Sequence, residues 1–197
     1  YLGFAVCFIA AYGGAAWQPS MLMRGFGVSP QFVGAWLGPL SMLFSAVGPL
    51  VGGWLVDRSM QAGKPMVRFT LLSVVPLLAL PSTLAVLAGD ARLAAFIMAT
   101  GNAIYAVCGT LMFATLQSTV PDRMRGTSIA LTLVMNTLLG ATCGPVLVAA
   151  VANNVLGDPA KVGWAIALVA GPSVALGAGL FALAKREMGR RAIARDA

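Results

Sequence analysis

Histidine is absent from this chain, acidic residues number only six, and charged residues make up 10% of its 197 positions. Soluble domains carry roughly a quarter of their residues charged. Water cannot solvate a monomer so poor in charge, and a mean hydropathy of +0.87 points to lipid as the natural solvent. The missing histidine removes the commonest metal ligand and general base. Cys7, Cys108 and Cys143 are odd in number and far apart, with no CxxC. They imply packing, with neither disulfide nor metal. No cofactor is expected. The six acids fall between the apolar stretches, so a membrane-embedded enzyme lacks its usual acid, base or dyad.

What the chain does have is long uncharged runs. The charges fence off 1–23, 25–56, 69–89, 93–121, 126–157 and 162–184. A spanning helix needs roughly 20 apolar residues. The expectation is an all-α membrane protein of six transmembrane helices, near 1–23, 30–56, 69–87, 93–119, 127–153 and 162–185. The transmembrane domain is then 1–185, followed by a basic tail, 186–197. Ser29 and Pro30 suit the cap and first turn of helix two. Pro76 and Pro81 interrupt helix three, while Pro39, Pro49, Pro145 and Pro172 are expected to kink theirs.

The net charge of +7 is unevenly placed. Arg58, Lys64 and Arg68 follow helix two, Arg123 and Arg125 follow helix four, and five bases from Lys185 to Arg195 form the tail. The other joints hold only Arg24, Arg92 and Lys161. Short cytoplasmic loops collect Lys and Arg, so the basic joints and the C-terminus are read as cytoplasmic. Anionic lipid is the expected partner of the tail, at about 1 kcal/mol per base near the surface, and nucleic acid is not.

The stretch "GGWLVDRSMQAGKP" puts Asp57 and Arg58 directly after a glycine-rich apolar run. A half-desolvated anion there suits an arginine or a helix N-terminus. Arg125, just before helix five, offers both, and an Asp57–Arg125 latch is one reading; an ordinary Asp-Arg at a helix end is the other. Gly48 and Gly52, like Gly140 and Gly144, have the small-xxx-small spacing of close helix crossings.

Bulky polar side chains sit mid-span in three helices: Tyr12 and Gln18 in the first, Asn102, Tyr105 and Gln117 in the fourth, Thr132 and Asn136 in the fifth. Helices three and six have none, so they read as lipid-facing supports. Asn102 with Tyr105, and Thr132 with Asn136, share helical faces. With Phe113 and Trp36 they could line a cavity for an amphipathic molecule, or serve as hydrogen-bonded glue between helices.

Gly53, Asp57, Arg58, Gly63 and Lys64 resemble the signature loop of the major facilitator superfamily, with a slightly longer spacing after Arg58. "VPDRMRG" resembles that family's later loop. The resemblance covers essentially the whole chain. It implies one half of a twelve-helix transporter, the C-terminal one, built as a 3+3 inverted repeat. Helices two and five would pack against a missing N-terminal half of the same polypeptide. The opening "YLGFAVCFIAAYGG", without Met or signal peptide, agrees with such a fragment. Trp17, Pro19, Arg24, Gly27 and Gly34 further resemble the Spinster-like branch. The implied function is secondary transport of a small organic or amphipathic solute, with a lipid or an organic anion among the candidates, in a bacterial inner membrane. A non-transporting sensor or assembly subunit with the same fold is the alternative.

Overall fold

Ser29 accepts the Phe32 amide at 3.3 Å, and Pro30 opens a helix of 32 residues behind it. Local signals of this kind delimit six helical rods in the computed structural model, which describes residues 1–61 and 66–196. Among these residues 92% are helical and none is in a strand. The rods are α1 (Leu2–Gly25), α2 (Pro30–Gln61), α3 (Val67–Leu87), α4 (Ala91–Thr119), α5 (Asp122–Val155) and α6 (Val162–Asp196). The turn between α1 and α2 passes through Gly27 at φ +66°, where only glycine is unstrained. α6 continues past Lys185 without a break.

Five rods are long and apolar enough to cross a membrane, α2 to α6. α1 is 24 residues long, so length is not its shortfall. Tyr12, Trp17, Gln18 and Pro19 dilute its apolar character. Its surroundings explain the tolerance. α1 packs along α6 and α5 and touches α4 and α2, and ten of its residues are buried. A helix wrapped by other helices meets little lipid, so polar groups on it are not exposed to hydrocarbon.

α2 packs along α4, and α3 lies against both α4 and α6. The core is built largely from alanine, valine and small residues, as membrane packing favours. α3 is irregular around its prolines: Val75–Ala79, which holds Pro76, is a 3-10 turn, and a second 3-10 turn, Ala85–Leu87, follows the short α-helical piece that holds Pro81. α5 loosens into π-helix over Asn136–Cys143 and again over Val151–Val155. Pro145 has no N–H to give to the preceding turn, which accounts for the first of these. There Thr142 Oγ1 donates to Thr137 O at 3.1 Å and Cys143 Sγ to Leu138 O at 3.3 Å, each five residues back. The Pro145 carbonyl accepts Trp17 Nε1 at 3.0 Å, fastening α5 to α1.

The glycine pairs are used inside this chain. A Cβ on Gly48 would lie 2.6 Å from Ala103 O, and one on Gly52 would lie 2.8 Å from Thr110 Cβ, so both seat α2 on α4. A Cβ on Gly144 would lie 2.7 Å from Ile9 O, and one on Gly140 would lie 3.1 Å from Tyr12. The glycine faces of α2 and α5 are thus occupied by helices of this chain. Gly53 has open space beside it and brings no helix close.

Candidate functional site

Phe4, Phe8 and Tyr12 recur every four residues on α1 and form one aromatic stripe. The Phe4 and Phe8 rings are 4.3 Å apart, Phe8 and Tyr12 are 5.7 Å apart, and Phe113 of α4 meets Phe4 edge-on at 5.7 Å. These rings make the wall of an open-sided cavity of about 560 Å³ between α1, α2, α4 and α5. Asn102, Tyr105, Asn136 and Ser45 supply its polar points. Among the described residues no charged side chain lines it. Its size and mixed lining suit a small organic molecule with one polar end.

Asn136 is the sharpest feature. It is 8% exposed, and its Nδ2 donates to Tyr12 Oη at 3.4 Å. Its Oδ1 is buried with no hydrogen-bond partner among the described residues. A buried acceptor without a donor costs about 1–3 kcal/mol. A hydroxyl or amine on a bound molecule would supply that donor. The Asn136 amide sits at the first residue of the π segment, so Pro145's disruption of α5 helps to fix where it stands. Tyr105 is 8% exposed and makes no hydrogen bond among the described residues, though it lines the same cavity.

The polar residues expected to line a cavity divide between the two readings. Tyr12, Asn102, Tyr105 and Asn136 come together on it. Gln18 does not: its Nε2 donates to Asn102 Oδ1 and Asn102 Nδ2 donates back to Gln18 Oε1, both at 3.2 Å. This reciprocal amide pair ties α1 to α4 beside a much smaller void of about 30 Å³. Thr132 is 1% exposed and donates to Ser128 O at 2.8 Å within its own helix, so it is corrected to a packing residue. Trp36 also lies elsewhere; Arg92 stacks on it at 4.9 Å. Phe4, Phe8, Ser45, Pro49 and Thr110 line the cavity without having been expected there. The spacing of Phe4, Phe8 and Tyr12 was the available signal.

The Asp57–Arg125 latch is not formed. Arg125 pairs with Asp122 at 2.8 Å, three residues back, at an exposed position. Among the described residues Asp57 makes no ion pair. Arg58 lies over the Trp54 ring at 5.3 Å instead of reaching an acid. The physical reason is proximity: each arginine finds a partner within one helical turn. Gly63 and Lys64 lie outside the described residues. The residue that sequence reasoning missed is Arg68, counted only as one of the basic joints. It is 8% exposed, with Nε on Ser59 Oγ at 3.1 Å and Nη1 on Ser118 Oγ at 2.6 Å.

No protein-family model, no curated protein and no solved structure matches this chain.

Proposed function

We propose that this chain is one six-helix half of a secondary transporter of the major facilitator type, moving a small organic or amphipathic solute by alternating access. The observation that carries the proposal is the cavity: an uncharged, aromatic-walled hollow between apolar helices long enough to span a bilayer, with a buried Asn136 oxygen lacking a donor. A lipid-facing surface has no use for that oxygen, whereas a solute with a hydroxyl or amine satisfies it. In this reading α1 to α3 and α4 to α6 are the two inverted repeats and the partner half closes the cavity's open side. The basic helix ends then face the cytoplasm of a bacterial cell, the tail included. The absence of a charge in the cavity favours the uncharged end of the solute on this side.

The test uses the complete polypeptide in sealed proteoliposomes, offered a small-molecule cell extract, with mass spectrometry of the lumen. At least one solute should accumulate, and Asn136→Leu should slow its flux about tenfold, the equivalent of one lost hydrogen bond. A solute that binds but never enters would instead make the chain a sensor or assembly subunit. Flux that is indifferent to both Asn136→Leu and Tyr105→Ala would remove the cavity from the pathway.

A further inference from the structure

Arg68 is a buried cation in a neutral cradle. The two serines that hold it are locked as acceptors, because Ser59 Oγ donates to Val56 O at 2.6 Å and Ser118 Oγ to Thr115 O at 2.9 Å. A guanidinium stays charged at every accessible pH, and hydroxyl oxygens do not neutralise it. Among the described residues no carboxylate lies within ion-pair distance of Arg68. Positions 62–65 contain no acid either. Among the described residues, then, no acid of the chain answers this charge, and an anion from outside would.

Beside Arg68 is a cavity of about 300 Å³, separate from the aromatic one. Arg125 and Gln117 join Arg68 on its polar side, and Met60, Val56 and Ala114 form its apolar side. We propose that this cavity binds a phosphate-bearing anion, held between the Arg68 and Arg125 guanidiniums. Three features suit phosphate. Guanidinium forks match its oxygens in pairs. The volume exceeds what a simple halide fills and admits a phosphate with a glycerol-sized substituent. Met60, Val56 and Ala114 give an ester chain apolar contact, at the helix ends where the basic joints gather. Asp122 now occupies Arg125, but it is 87% exposed and loses little by swinging into water. The phosphate has two possible sources, the headgroup of an anionic lipid or a soluble phosphate. The proposal is independent of transport.

The experiment is thermal unfolding of the full chain in a maltoside detergent, which carries no phosphate. Phosphatidylglycerol, dioleoylglycerol, inorganic phosphate and acetate are added separately at matched ionic strength. The expected result is a rise of roughly 5 °C with phosphatidylglycerol over dioleoylglycerol, absent in Arg68→Gln. The same rise with inorganic phosphate alone would support the site and assign it to the soluble ion. Should Arg68→Gln fail to fold, Arg125→Gln on the rim decides, and should at least halve the increment. No rise with either phosphate source, an equal rise with acetate, or an increment unchanged in the variants would overturn the proposal.

Discussion

Gln18 and Asn102 exchange two hydrogen bonds across α1 and α4, and among the described residues neither amide has another partner to turn to. In a low-dielectric interior, removing one partner strands the other. Gln18→Leu should therefore lower stability by about 1–2 kcal/mol, read as a melting decrease of a few degrees in detergent. The Gln18→Leu, Asn102→Leu double variant should cost no more than the worse single one. Additive losses would show that the pair is not coupled. The presence of both amides at mid-span was legible in the sequence; their mutual satisfaction was not, because Gln18 and Asn102 are 84 positions apart. Asn136 was legible in the same way, yet nothing in its neighbours foretold that its oxygen would lack a donor.

Among elements, glycine spacing was informative and its partner was not. Gly144 lies where a Cβ would meet the Ile9 carbonyl at 2.7 Å and the Gly13 nitrogen at 2.9 Å, both rigid backbone. Gly144→Ala should destabilise by about 1–3 kcal/mol through forced separation of α1 and α5. Gly53→Ala, with open space around it, should be neutral or stabilising by up to about 1 kcal/mol. Melting the two variants side by side checks the contrast, and equal effects would contradict the crossing geometry. The latch fails for a related reason. Sequence pattern shows which charges exist, but the shortest reach wins, and Arg125 has Asp122 one turn away. Asp57→Asn should leave the melting temperature within about 1 °C of the native value, and a larger drop would mean that Asp57 has a structural partner.

For the whole molecule, the fences of charge around six apolar runs made the six helical rods readable, but not all their ends: α2 runs on to Gln61 and α6 past Lys185. α1 was read as a span like the others, and its weaker apolar character became understandable only from its place among α6, α5, α4 and α2. Tertiary neighbours set what a helix face must be, and a linear pattern does not carry them.

The central claim is that these rods cross a bilayer with their basic ends in one leaflet, leaving the aromatic cavity between them. Single cysteines at exposed helix ends test it in whole cells, on a background with Cys7, Cys108 and Cys143 replaced by alanine. A membrane-impermeant maleimide should label Gly25→Cys and Ala160→Cys from outside, and Gln61→Cys and Arg190→Cys only after the cells are opened. Labelling of all four from outside, or the reverse pattern, would contradict the account.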